Sequence, residues 1–353
     1  MSLSERLRER IAREGPISFY DFMRAALYDP DEGYYARGAS IGEGGDFLTS
    51  PHVSPAFARA LARLFVLETA DLGGPVDFVE VGAGSGVFLE EFARSVRQLS
   101  PEHFARLRLT AVEASPAGRR ALENRGIEPV PRVLADASAL EPGSVAGWIF
   151  SNELYDALPV VRVAGSGGGL RELRVAWRDG RFVWAEAEAP AAIGEHLARV
   201  GVALADGQRA EVAPDAGPLH RHLARALADG SLVAFDYGHP ARILYHPFAR
   251  PEGTLAVHAG GRRGGDPLEK PGERDLTAHV DWDVLLGVGE EEGLRAERLI
   301  RQGQFLSEIG ILDFAASDAE KWRIFRLLDP EGMGEDLSVL VQRRGRRTGA
   351  RAD

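Results

Sequence analysis

Hydrophobic and polar positions along this chain switch between a helical and a strand-like spacing, and the switch near residue 75 marks the first boundary that matters. Before it, three stretches carry apolar residues at helical spacing: Ser4 to Ala12, Ser18 to Leu27 and Ser54 to Leu72, each opened by a serine able to cap. The last sets Phe57, Leu61, Leu64 and Phe65 on one face, with Pro55 in its first turn and Gly73 beyond its end. Then a short apolar run, Val76 to Val81, breaks into Gly82-Ala83-Gly84-Ser85-Gly86 and a helix-compatible segment from Val87 to Leu99. That order predicts strand, tight turn, helix.

Strand-like runs recur at Leu107 to Glu113, Pro131 to Leu134, Gly147 to Ser151 and Ser231 to Tyr237, separated by helical or loop segments. Such alternation predicts a parallel sheet covered on both faces. It is interrupted over Val160 to Ala187, where Asp179-Gly180 joins two alternating runs, Glu172 to Arg178 and Arg181 to Glu186, as a hairpin with a primed turn. Gly165 to Gly169 reads as a flexible loop tip, since neither a lysine nor a helix start follows it. Arg343 to Asp353 reads as a disordered tail. The expected organisation is an N-terminal helical region with a loop over 1–75, a core first half over 76–160, an inserted hairpin and helical subdomain over 161–230, a core second half over 231–345, and a tail over 346–353.

The glycine turn carries the first chemistry. Gly82, Gly84 and Gly86 remove side chains that would keep a ligand off the backbone, and the following helix offers unpaired N–H groups at its start. A dinucleotide pyrophosphate is usually held by G-x-G-x-x-G, a register that puts Val87 where the third glycine should stand. The arrangement Glu80-x-Gly82-x-Gly84-x-Gly86 instead resembles motif I of class I S-adenosylmethionine methyltransferases, in which the acidic residue helps orient the methionine part. Glu113, at the end of the next strand, can accept hydrogen bonds from both ribose hydroxyls, and Ser115-Pro116 then start a helix. Asp136 follows another short apolar run, where it can face an adenine amino group or simply close a turn.

Composition narrows the class. The chain has 353 residues, 44% hydrophobic and 27% charged, enough for one large or two ordinary domains. It has no cysteine, which removes disulfides, thiolate nucleophiles and cysteine-ligated metals. Its nine histidines form no H-E-x-x-H motif, and no metal site is expected. A net charge of −11 argues against nucleic acid as a partner and suits a cationic protein or peptide. No run reaches membrane-span length and no targeting segment is evident, so a cytoplasmic location is expected.

The strand Gly147 to Ser151 delivers Asn152-Glu153-Leu154-Tyr155-Asp156-Ala157-Leu158-Pro159 to the sheet edge where open α/β sheets bind ligands. Asn152 offers a donor and an acceptor, and Glu153 and Asp156 offer charge that can hold a guanidinium or another cationic nucleophile. The alternative is a capping asparagine beside two solvated acids.

Five ordered motifs, Gly45-Asp46-Phe47-Leu48-Thr49-Ser50-Pro51, Glu80 to Gly86, Asn152 to Pro159, Asp236-Tyr237-Gly238 and Asp275-Leu276-Thr277-Ala278-His279-Val280-Asp281-Trp282, resemble the MidA-type methyltransferase family across roughly residues 16 to 342. That family includes the mitochondrial protein arginine methyltransferase that assists respiratory complex I assembly. The resemblance implies an α/β fold: a class I methyltransferase (Rossmann-like), mostly parallel sheet with an N-terminal helical region and an inserted α+β subdomain. It implies S-adenosyl-L-methionine as cofactor and methyl transfer to an arginine of a protein partner. Glu80, Gly82, Gly84, Gly86, Glu113, Asp136, Thr49, Ser50 and Asn152 are then expected at the cofactor, and Glu153, Asp156, Asn152 and His279 at the chemistry. Thr49 and Ser50 can bond the cofactor carboxylate or cap the helix near Ser54; His279, with Asp281, can relay a proton or be a packed core residue. Departures from the family pattern are His52 after Thr-Ser-Pro, where glutamate is usual, Arg301 before Gln302, where threonine is commoner, and the Gly- and Ala-rich stretch after Leu255. Two other readings stay open: an assembly factor that binds S-adenosylmethionine with little catalysis, and an NAD-dependent oxidoreductase.

Overall fold

The computed structural model describes residues 1–38 and 48–345. Strand Val76–Val81 lies at the centre of the main sheet with all six residues buried. Leu107–Val112 and Val145–Asn152 flank it, both parallel. From edge to edge the sheet runs Arg132–Leu134, Leu107–Val112, Val76–Val81, Val145–Asn152, Leu227–His239, Leu337–Arg344, Arg295–Arg301, and the last two strands are antiparallel to their neighbours. After Val76–Val81 the chain builds outward on one side, then returns to the other. Strand order therefore reverses between Val76–Val81 and Val145–Asn152, and a crevice opens at their C-terminal ends.

Aromatic packing fixes that crevice. Helix Val87–Leu99 buries Phe88, Leu89, Phe92, Ala93 and Val96 at helical spacing. Its rings meet the sheet directly, with Phe78 and Phe92 centroids 3.8 Å apart and Phe88 and Phe150 4.5 Å apart. Helix Ala56–Glu68 packs beside it, Phe65 lying among Phe78, Phe92 and Trp148. This helix is shorter than the expected Ser54 to Leu72. Ser54, restricted by the following proline, is extended and separates it from a one-turn helix, Ser50–Val53. At its other end the Thr69 hydroxyl donates to the Phe65 carbonyl at 2.7 Å.

A second, antiparallel sheet holds Arg181–Glu188, Gly169–Arg178, Val161–Ser166 and Arg209–Val212 in that spatial order. Asp179 and Gly180 have φ of 50° and 77°, the primed turn its sequence predicts. Gly165 and Gly169, read from sequence as part of a loop tip, belong to paired strands joined by a two-residue turn at Gly167-Gly168.

Helices Leu3–Glu14 and Phe19–Tyr28 pack on this second sheet, burying Leu7, Phe19, Phe22 and Met23 against Val175 and Phe182. Helix Ala216–Ala226, inside the segment 161–230, instead packs on the main sheet through Leu223 and Ala224. A small sheet of Ala256–Ala259, Arg262–Arg263 and Asp275–Thr277 completes the structure.

The expected tail begins too early. Arg343 lies in strand Leu337–Arg344, buried with its guanidinium 3.4 Å from Glu68, and residues 346–353 fall outside the described residues.

Candidate active site

The glycine turn works through two different constraints. Gly84 has φ of 53°, and a Cβ there would meet nothing within 4 Å, so the backbone faces open space. Gly86 also has positive φ, 78°, but a Cβ there would lie 2.5 Å from Leu122 and 3.1 Å from Ile127. Gly86 thus lets helix Val87–Leu99 pack closely against Leu122 and Ile127. Gly82 is intermediate, with Leu154 3.1 Å from its would-be Cβ.

Glu113 reaches across from the neighbouring strand. The Gly84 N–H donates to one carboxylate oxygen at 2.8 Å and the Ser115 N–H to the other at 2.7 Å. Gly118 makes room for it, since a Cβ there would stand 2.7 Å from Glu113 Cγ. Glu80 is buried at the end of the central strand, and its Oε2 has no hydrogen-bond partner among the described residues. Burial, with the Glu113 charge second, raises its carboxyl well above the usual range. A pair of acids around open backbone suits a ligand carrying ribose hydroxyls and positive charge. S-adenosylmethionine, a sulfonium with an α-ammonium, has that character, and the residues present fit it.

Asp136 is exposed at the end of strand Arg132–Leu134, where its carboxylate accepts from the Ser138 N–H at 2.7 Å and caps a short turn. The Ser138 hydroxyl first, and this N–H second, lower its pKa. Thr49 precedes helix Ser50–Val53 without capping it, and its hydroxyl pairs with His52 Nδ1 at 2.8 Å. The Ser50 hydroxyl donates to Gln302 at 2.8 Å, while its backbone N–H faces the Glu153 carboxylate. Neither residue caps the helix after Ser54, whose own hydroxyl accepts from the Ala56 N–H. Gly45, Asp46 and Phe47 fall outside the described residues.

The turn after strand Val145–Asn152 is held by Asp236. One of its carboxylate oxygens accepts the Leu154 N–H at 3.0 Å and the Tyr155 N–H at 2.7 Å, and the other accepts the Tyr237 N–H at 2.8 Å. Glu153 sits in the left-handed region, φ 51°, its N–H bonded to the Phe235 carbonyl at 2.8 Å. A non-glycine there stores strain, which the Asp236 contacts offset. Asn152 Nδ2 donates to Glu153 at 3.0 Å, and Asn152 Oδ1 is buried without a partner among the described residues.

Acids converge on this turn. Burial, together with Asp236 and Asp275, pushes Glu153 up to about 8 against the Asn152 and Ser50 hydrogen bonds. Asp156, buried near Asp236, Glu153 and Asp275, is raised well above the usual range, and Asp236 is pushed up to about 7, chiefly by burial. Asp275 accepts from Tyr35 at 3.2 Å, and Tyr28 donates to the Ala157 carbonyl at 3.0 Å. Sequence reasoning did not single out Asp236, Asp275, Tyr28, Tyr35 or Gly118 for these roles; only the motif positions of the two aspartates hinted at them.

His279 departs from the expected near-neutral relay. Burial first, then Arg250, His239, Arg263 and Arg301, push it down to about 3, so it stands neutral across the working range. Asp281 caps helix Trp282–Glu291 through the Asp283 N–H at 3.1 Å and pairs with Tyr245.

The parallel order with a reversal at the glycine turn, and an acid clasping that turn, define a class I methyltransferase fold. Residues 60–300 match the model of a family of S-adenosyl-L-methionine-dependent methyltransferases, and the chain belongs to that family, the MidA type. A protein from Burkholderia thailandensis, crystallised with S-adenosyl-homocysteine, superposes with a TM-score of 0.87 at 30% identity over 99% of this chain and 93% of that one. A second Burkholderia thailandensis structure, of a protein described as an uncharacterized member of the COG1565 superfamily, superposes with a TM-score of 0.84 at 30% identity over 99% of this chain and 92% of that one. The mouse and human mitochondrial protein arginine methyltransferases NDUFAF7 are 29% and 28% identical over 93% and 95% of this chain, and 81% and 82% of their own lengths. S-adenosylmethionine is the cofactor, which sets the dinucleotide reading aside.

Proposed function

We propose that this methyltransferase modifies an arginine side chain of a protein partner. The observation that carries the reading is the group of partly or fully buried, mutually interacting carboxyls, Glu153, Asp156 and Asp275, with an unpartnered Asn152 carbonyl beside Glu153. Such a group is costly alone and is relieved by a delocalised cation. When bound, S-adenosylmethionine supplies an electrophilic methyl group. Glu153, aimed by the Asn152 amide, pairs with the incoming guanidinium and is drawn to its ionised form by that charge. Arginine is too basic to lose a proton beforehand. The carboxylates therefore localise charge on the remote nitrogens, leave one nitrogen directed at the methyl, and Glu153 takes the proton released as the new N–C bond forms. Asp156 and Asp275 supply the remaining compensating charge.

The test is incubation of the purified chain with methyl-labelled S-adenosylmethionine and a lysate lacking this protein, followed by mass spectrometry. Label on an arginine is expected, with Glu153→Gln reducing the rate by roughly 10²–10³-fold. Label confined to lysine, to a small molecule or to nothing overturns the proposal. Retention of cellular function by that variant would favour the assembly-factor reading.

A further inference from the structure

Beside the acids stands a cluster of bases that the chemistry above leaves unused. The Ala278 N–H bonds the Asp156 carbonyl at 2.9 Å, and the next residue, His279, lies with its ring 6.2 Å from Tyr237 and 5.6 Å from His239. Arg250 Nη2 touches His239 Nε2. An arginine only donates, so Nε2 accepts, and the proton of a neutral His239 ring resides on Nδ1. His239 Nδ1 is buried without a partner among the described residues, and so is Arg250 Nε. Both are donors facing no acceptor. Arg263 and Arg301 add charge to the same place: both act on His279 and Arg250, and Arg301 acts on His239 as well. Arg301 is tied to Glu335 at 3.0 Å and to Ser338 at 2.9 Å, whereas Arg250 and Arg263 make no ion pair among the described residues. Two carboxyls stand nearby: Glu211 and Asp281 line a cavity with His279, where Glu211 is engaged by Arg162 and the Thr254 N–H, and Asp281 is the cap of helix Trp282–Glu291.

Two buried orphan donors within a group of three guanidinium groups form a site for an anion. We propose that Arg250, Arg263 and His239 bind a carboxylate of the acceptor protein, an aspartate or glutamate near the methylated arginine, so that the crevice selects an acidic and a basic side chain together. This rests on the arginine reading above and extends it. The acids on the Asn152–Asp156 turn receive the guanidinium while the adjoining bases fix the segment that carries it, and the opposed charges set its direction.

The probes are eight-residue peptides with a single arginine and a single glutamate one to four residues to either side, their glutamine counterparts, and a glutamate peptide without arginine. Binding to the full chain is measured by calorimetry at low salt with S-adenosylhomocysteine present. At least one glutamate spacing is expected to bind tenfold or more tightly than its glutamine counterpart, with the advantage falling below twofold in Arg263→Gln and Arg250→Gln. Arg263 is exposed, so its variant tests the site without threatening the fold. Equal binding of glutamate and glutamine peptides overturns the carboxylate subsite and leaves the arginine reading standing. Binding that needs glutamate but not arginine supports the subsite and overturns the arginine reading. Absence of binding by every peptide overturns the subsite, and so does weakened S-adenosylhomocysteine binding in Arg263→Gln, which would assign the cations to the cofactor.

Discussion

Residues that look alike in the sequence separate by what a side chain would meet. Gly84 and Gly86 share left-handed backbone, yet only Gly86 has neighbours where a Cβ would go. Gly86→Ala should therefore cost about 2–4 kcal/mol in urea unfolding, combining strain with overpacking against Leu122. Gly84→Val should cost about 1–2 kcal/mol of strain but abolish S-adenosylmethionine binding in calorimetry, because its side chain enters the open space beside Glu113. Glu153 yields a pH prediction. Its folded-state pKa, about 8, lies above the unfolded value of 4.5, so the folded ligand-free protein prefers the proton. The stability this contributes is complete below about pH 4.5 and is lost as pH rises through about 8. Glu153→Gln should therefore be more stable than the native chain at pH 8.5, by about 1–3 kcal/mol relative to the difference at pH 5. A difference that does not change with pH would contradict the buried-acid account.

Among elements, those set by local pattern were legible and those set by distant partners were not. Strand Val76–Val81, helix Val87–Leu99 and the Asp179-Gly180 hairpin turn follow from periodicity and turn chemistry within a dozen residues. The role of Asp236 depends on N–H groups more than eighty positions earlier, and Tyr35 meets Asp275 across 240 positions, so neither leaves a local trace. The final strand was missed in part because its arginines read as a solvated tail, whereas Arg343 is buried against Glu68. Helix Pro116–Asn124 shows how a local rule yields to a site. Alanine at Gly118 would favour an ordinary helix by up to ~1 kcal/mol. Its Cβ would nevertheless displace the Glu113 carboxylate and crowd Ser115 Oγ at 2.8 Å. Gly118→Ala should leave thermal stability within about 1 kcal/mol of native while weakening S-adenosylmethionine binding by roughly tenfold, a loss of about 1.4 kcal/mol.

At the scale of the molecule, the site is built from two bodies with separate cores. The main sheet supplies the glycine turn, Glu113, Glu153, Asp156 and Asp236, and its aromatic core lies under Phe78, Phe92 and Phe150. The N-terminal helices, the second sheet and the strand Asp275–Thr277 share another core, which contains Phe22, Phe182, Leu276 and Ala278. Tyr28, Tyr35 and Asp275 reach the acids from that side. Cofactor binding and acceptor binding are therefore supported by different packing, and a lesion in the second core should separate them. Phe22 is fully buried against Phe182, ring centroids 5.4 Å apart, and Phe22→Ala should cost about 3–5 kcal/mol of local packing. With the first core intact, S-adenosylmethionine affinity should stay within about twofold of native, because its proposed contacts lie on the main sheet and at helix Ser50–Val53, which packs into that same core. Methylation should fall by tenfold or more, since helix Phe19–Tyr28 positions Tyr28 and the Asp275 side of the crevice. Calorimetry with S-adenosylmethionine beside a labelled-methyl assay reads both quantities on one preparation, and parallel loss of the two would mean that the cores unfold as one unit.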